Sequence, residues 1–239
     1  MHLPRKPFKV LMEALFDVRV YSTRPHGRDD CHDIQGTGAV MNTILDVGAN
    51  DGVSAIKFQD AFPAATIHSF EPVTKTFNLL RGNVTGHKRI YCHQLAVGAS
   101  PGVAQIYLTE HSTMSSLIRP HAPLGEETVR VTTVDDFAME HHIERIDLLK
   151  VDAEGFDLEV LQGADQLLEA GSVAFVLAEV GFHRGDDRHV LFDDVRDFLV
   201  PKGFAVFGFY DQQPEWSGEN HLRYVNACFC HETVPVRSR

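Results

Sequence analysis

Asp46, Gly48, Asn50 and Gly52 fall within one nine-residue run, Ile44-Leu-Asp-Val-Gly-Ala-Asn-Asp-Gly52. The run opens apolar, as a buried parallel strand does, and turns polar and glycine-rich where such a strand hands over to a helix. Glycine at 48 and 52 lets the backbone approach a ligand closely. A further acid, Glu71, ends the apolar run Thr66-Ile-His-Ser-Phe70, is followed by Pro72, and lies 25 residues after Asp46. A carboxylate at the end of a second strand can accept both hydroxyls of a ribose. These residues point to a nucleoside ligand.

Their pattern argues against a dinucleotide. The G-x-G-x-x-G fingerprint is absent, and a carboxylate at Asp46 would repel a pyrophosphate. It suits a cofactor with a cationic amino group and no phosphate, as in S-adenosylmethionine, which also carries a sulfonium. A third motif, Ile146-Asp-Leu-Leu-Lys-Val-Asp152-Ala-Glu154-Gly155, puts Asp152 and Glu154 at the end of another apolar run. They either face a ligand or cap the helix that follows. Glu179 interrupts the apolar strand Val173–Val180, with His183 and Arg184 just beyond. An acid buried there needs a partner or a function.

Positioning these residues takes an alternating chain. Strands are expected over 43–48, 66–70, 89–97, 146–151 and 173–180, and helices over 52–61, 73–82, 134–142, 157–170 and 188–200. Val103–Leu108 and Thr128–Thr133 alternate as an inserted β-hairpin around a long polar loop, 109–127. Phe204–Tyr210 and Tyr224–Cys230 read as a C-terminal antiparallel pair, joined by loop 211–222, which carries Trp216. The fold class is therefore α/β, a Rossmann-like sheet with helices on both faces. Residues 7–18 have helical apolar spacing and 22–38 are polar, so 1–42 reads as an N-terminal helix and connector and 43–239 as a single domain.

The chain has 239 residues and a formal charge of −11, which disfavours nucleic acid and anionic membrane as partners. No apolar run approaches a membrane span, and the cytoplasm is the expected compartment. Cys31, Cys92, Cys228 and Cys230 have no metal-binding spacing and read as buried thiols, with Cys228 and Cys230 on one face of a strand. His141-His142 falls at a helix end, where a favourable dipole contact is expected.

With these motifs in view, the chain resembles the FkbM-type methyltransferases. The resemblance rests on residues 44–52, Phe70-Glu-Pro72, Leu95-Ala-Val-Gly98, Ser112-Thr-Met-Ser-Ser-Leu117 and, most specifically, Asp147 to Ala164. Ala153 stands where the family more often has Val. The resemblance implies a class I methyltransferase fold over roughly residues 43–230. It implies S-adenosylmethionine as cofactor and O-methylation of a hydroxyl on a sugar, glycan or secondary metabolite. By the same resemblance Asp46, Gly48 and Asn50 contact the methionine end, Glu71 holds the ribose, and Leu95, Ala96 and Val97 border the adenine. Ser115 and Ser116 fall in a loop placed to cover cofactor or substrate. A transferred methyl leaves the acceptor's proton to be removed. Asp152, Glu179 and His183 are the candidates. Asp152 and Glu179 could alternatively ligate Mg2+. An NAD-linked oxidoreductase and a non-catalytic S-adenosylmethionine-binding scaffold are the competing readings.

Overall fold

The structure is a computed structural model that describes residues 24–108, 125–186, 188–214 and 221–235. Along the chain run α1 (Asp30–Thr37), β1 (Thr43–Val47), α2 (Val53–Ala61), β2 (Thr66–Phe70), α3 (Thr74–Asn83) and β3 (Ile90–His93). Then come β4 (Ala96–Val97), β5 (Gly102–Leu108), β6 (Gly125–Thr132), α4 (Val134–Glu140), β7 (Ile146–Val151), α5 (Asp157–Gln162) and α6 (Asp165–Glu169). The last described elements are β8 (Val173–Gly181), β9 (Val190–Leu191), α7 (Phe192–Leu199), β10 (Phe204–Pro214) and β11 (Leu222–His231).

The main sheet has the order β3-β2-β1-β7-β8-β11-β10, with β9 beside β8. Strands β1, β2, β3, β7 and β8 are mutually parallel, and β11 runs antiparallel to both its neighbours. The chain builds outward from β1 through β3 and then returns to the other side of β1 with β7. That reversal opens a crevice at the carboxyl ends of β1 and β7, the place where open α/β sheets bind ligands. The α/β sheet with helices and one reversed strand is the fold class expected from the sequence.

Consecutive residues of the central strands enter opposite halves of the core, because strand side chains alternate. Leu45 and Leu149 pack with Phe70, Phe137 and Val160 on one face. Ile44 and Leu148 pack with Phe58, Ile67 and Phe175 on the other. Cover on both faces is why β7 is buried from end to end, its charged Asp147 and Lys150 included.

Several elements differ from the sequence expectation. Residues 30–37, expected as connector, form α1. Its register is set by polar anchors rather than an apolar stripe: the Asp29 side chain caps it by accepting from His32 N–H, and buried Asp33 accepts from Tyr210 Oη at 3.0 Å and Gly27 N–H at 2.7 Å. The strand expected over 89–97 splits. Ile90–His93 pairs with β2, whereas Ala96–Val97 pairs with β6 in a second sheet of order β4-β6-β5. This sheet contains the expected hairpin. The helix expected over 157–170 is two helices. Asp135, from α4, accepts from the N–H groups of Gln166 and Leu167 and so caps a new helix start. Gly163 permits the junction, because a Cβ there would lie 2.1 Å from the Gly98 carbonyl oxygen. The helix expected over 188–200 begins only at Phe192, since Val190 and Leu191 pair with Val180 and Gly181. The final strand pair is longer than expected, reaching Pro214 and starting at Leu222.

The four cysteines are unpaired. Cys31 and Cys228 are buried and the other two half-buried. His141 closes α4 as expected, and its ring packs 4.2 Å from Phe137. The helix expected over 7–18, Ser112–Leu117 with Ser115 and Ser116, and Trp216 lie outside the described residues. Among the described residues no helix is long and apolar enough to cross a membrane.

Two glycine substitutions separate close approach from helix propensity. Gly163→Ala is expected to destabilise the fold by about 1–3 kcal/mol through overpacking against Gly98. Gly36→Ala, inside α1 with nothing within 4 Å of the added carbon, is expected to gain roughly 0.5–1 kcal/mol. Urea unfolding of both variants checks the opposite signs.

Candidate active site

Parallel register brings the ends of β1, β7 and β8 level: Val47 pairs with Val151, and Val151 with Ala178. One step earlier Asp46 pairs with Lys150. Asp46 is wholly buried and Lys150 is only 8% exposed. Lys150 Nζ donates to Gly48 O at 3.0 Å and to Asp152 Oδ2 at 3.2 Å, and lies 3.4 Å from Asp46 Oδ1. Burial alone would lower the Lys150 pKa, but Asp152 and Asp46 outweigh it and hold the ammonium charged. Ser54, in the first turn of α2, donates to Asp46 Oδ2 at 2.8 Å.

The loop after β1 is clamped on both sides. Gly48 and Ala49 N–H groups donate to Phe70 O at 3.1 and 2.9 Å. Gly48 has φ +71, and a Cβ there would sit 1.8 Å from the Asp152 carbonyl oxygen. Only glycine lets the first and third motifs close to this distance. Glu71 is buried at the end of β2 and accepts from Val73 N–H at 2.9 Å. Burial pushes its carboxyl up to about 7, against the opposing hydrogen bonds from Val73 and Asn50 N–H.

A cavity of about 320 Å³ opens over this crevice, lined by Gly48, Asn50, Lys150, Asp152, Glu179 and Asn226 among others. Five carboxylates face it (Asp30, Asp51, Asp152, Glu179 and Asp211) against the two lysines Lys57 and Lys150. A second cavity, about 540 Å³, is lined by Pro72, His93, Gln94 and Leu95 at the end of β3. Glu154 stands at φ +50 in the β7–α5 loop, and burial, then Asp152 and Glu179, push its carboxyl up to about 7. Asp157 is buried just below, with its pKa raised for the same reasons.

The predicted residues are thus distributed unevenly. Gly48, Asn50, Asp152 and Glu179 share the first cavity, while Pro72 and Leu95 share the second. Asp46 lies beneath the loop rather than in the cavity lining. Ala96 and Val97 are buried in β4, with Val97 in the main core. His183 sits on the exposed turn after β8, where Nδ1 accepts from Gly185 N–H at 3.0 Å. Sequence reasoning passed over Lys150, Ser54, Asn226 and His189. The signal for Lys150 was there: an ammonium inside an apolar strand, two residues before Asp152. Ser54 and Asn226 carry no such mark, because their roles depend on neighbours distant in sequence.

These donors fit a cationic nucleoside cofactor. Asn50 Oδ1 is a buried acceptor without a hydrogen-bond donor among the described residues, and the first cavity has more negative than positive groups. The same residues do not form a ready divalent-cation site. Asp152 is already paired with Lys150, and Glu179 lies 3.2 Å from His189 Nε2. Among the described residues the one cluster of three potential ligands within 4.8 Å is Asp29, Asp30 and Cys31, which includes neither.

Comparison with known proteins agrees with this geometry. Residues 46–206 match the methyltransferase FkbM domain. Methyltransferase 1 of Beauveria bassiana is 28% identical, over 82% of this chain and 84% of its own length. The 31-O-demethyl-FK506 methyltransferase FkbM of Streptomyces tacrolimicus is 26% identical, over 74% and 77%. The 2-O-methyltransferase NoeI of Sinorhizobium fredii is 26% identical, over 52% and 58%. The family match sets aside the dinucleotide-linked oxidoreductase. The chain belongs to the FkbM methyltransferase family and is an S-adenosylmethionine-dependent methyltransferase.

Proposed function

We propose that the protein O-methylates a hydroxyl of a sugar, glycan or small secondary metabolite. The observation that carries the reading is the shared cavity: Asp152 and Glu179, from adjacent strand ends, line the same space as the Gly48–Asn50 loop. Two relatives whose names specify O-methylation, the FK506 and 2-O enzymes, support it. The catalytic unit is residues 43–239. Asp30, from the segment that precedes it, lines the cavity wall. The enzyme works in the cytoplasm on a small or glycan acceptor rather than on nucleic acid.

S-adenosylmethionine, when bound, supplies an electrophilic methyl group on a sulfonium. Gly48 and Asn50 hold its methionine end, and Asp46 fixes their loop from beneath through Lys150 and Ser54. Glu71 accepts the ribose hydroxyls, while Pro72 and Leu95 wall the adenine. The five carboxylates at the cavity attract the positive charge of the sulfonium by Coulomb interaction. The acceptor oxygen would bond to the methyl carbon as that carbon's bond to the sulfonium sulfur breaks, leaving a neutral thioether, and the hydroxyl proton would pass to a carboxylate. Each carboxylate keeps one partner, Lys150 on Asp152 and His189 on Glu179, and we assign the proton to Glu179. Val53, Phe58 and Leu177 supply an apolar wall that limits water. Holding nucleophile and methyl group in line supplies much of the acceleration.

Calorimetric titration of S-adenosylmethionine tests the cofactor half. Binding by the wild type is expected, with a loss of roughly tenfold or more in Glu71→Gln and Asp46→Asn, the scale of a hydrogen bond to a charged group. Binding of NAD instead would overturn it. The raised Glu71 pKa sets a pH dependence. Below about pH 7 the carboxyl is protonated and a poorer acceptor, so wild-type affinity should rise as pH passes upward through about 7 and then level. Glu71→Gln should lack that rise. For the reaction, incubation with methyl-13C cofactor and a panel of neutral glycosides and polyols should give a carbon-13 methoxy signal by NMR. Label found on nitrogen or carbon alone would refute O-methylation.

A further inference from the structure

We infer that His189, outside the cavity lining, is a positioning residue for methyl transfer that holds Glu179 in place from behind. The inference rests on the reading of Glu179 as proton acceptor. His189 Nε2 lies 3.2 Å from Glu179 Oε2, and Nδ1 lies 2.7 Å from Asp186 Oδ2. An ionised carboxylate can only accept hydrogen bonds, so a ring that satisfies both carries both protons and is an imidazolium. The ring cannot readily turn. It stacks on Tyr224 at 4.3 Å and 15°, and a Cβ added to Gly181 would lie 2.9 Å from its own Cβ.

The far end of the chain is held as well. Asp186 accepts from Arg188 N–H at 3.0 Å and from Arg223 Nε at 3.2 Å. Residues from four places therefore converge: β8 gives Glu179, the following turn gives Asp186, β11 gives Arg223 and Tyr224, and His189 leads into β9. Pairing of Val190 with Val180 fixes His189 alongside β8. The charged groups around the ring are Glu179, Asp186 and Glu154, which favour its cation, and Arg188 and Arg223, which oppose it. Burial lowers the His189 pKa, but Glu179 and Asp186 outweigh it, and the net shift is upward.

This arrangement does what a general base needs. One oxygen of Glu179 is pinned by the His189 ring, so the side chain is held in place at the cavity wall. Because the imidazolium is the holding form, the clamp is complete below the raised His189 pKa and lost as pH rises through it.

The test joins a spectroscopic and a kinetic readout on the full chain. With histidine ring nitrogens labelled with 15N, NMR at pH 7 should show one ring with both N–H protons slowly exchanging, and Glu179→Gln should remove the Nε2 signature. S-adenosylhomocysteine formation with the neutral glycoside and polyol panel should fall roughly tenfold or more in kcat in His189→Gln. KM for S-adenosylmethionine should change less than twofold. The wild-type rate should decline at alkaline pH, and His189→Gln should lack that limb. Asp186→Asn, which leaves the histidine in place, should show a smaller loss of kcat and guards against a misfolded first variant. A kcat within twofold of wild type in His189→Gln, or a singly protonated His189 at pH 7, overturns the inference. If wild type turns over no acceptor while the ring signature is intact, the O-methylation reading fails and the positioning role fails with it.

Discussion

Lys150 is a charge placed almost out of reach of water, and the shape of the site follows from what must surround it. An isolated buried ammonium is too costly to keep, so it needs carboxylates and carbonyls at hydrogen-bond range. Asp46, Asp152 and the Gly48 carbonyl meet that need from two parallel strands and the loops beyond them. Each partner is thereby held in place. Removing one member of such a buried pair typically costs about 3–5 kcal/mol, because the remaining charge is left uncompensated. The network draws the loop after β1 against the end of β7, and that contact closes only because residue 48 has no side chain.

From this clamp the cavity inherits its electrostatics. The pairing uses Lys150 to offset Asp46 and part of Asp152, and leaves Asp51, Asp211 and Glu179 facing the open space with Lys57 near Asp30. Buried carboxyl groups at Glu71 and Glu154 are shifted upward by desolvation. A site with that balance attracts a sulfonium and disfavours a pyrophosphate, in line with the family to which the chain belongs. The Glu179–His189–Asp186 line repeats the device on the other side of the cavity. There the cation is an imidazolium and the outer anchor an arginine.

The residues that the sequence made legible are those that chemistry marks locally. Glycine at 48 and the acid at 71 stand at strand ends and can be found by pattern alone. The parallel strands were equally legible, since burial on both faces writes itself as a mainly apolar run. Helix α1 was missed because its fixing points are Asp29, Asp33 and a tyrosine 177 residues away, none of which leaves a helical apolar period. The break at Gly163 was missed for a similar reason: the cap for α6 comes from Asp135 on another helix.

The sequence by itself determined the alternation of strands and helices, the ligand end of the sheet and the class of cofactor. Those depend on side-chain periodicity and on residue types a few positions apart. Only the tertiary structure decided which acids face the cavity and which are spent on partners. Asp46 and Asp152 share a lysine, Glu179 holds a histidine ten residues on, Ala96 and Val97 turn into the core, and His183 stays at the surface. The reason is physical: hydrogen bonds and ion pairs act over about 3 Å in space, and strand order, not chain order, sets which groups come that close.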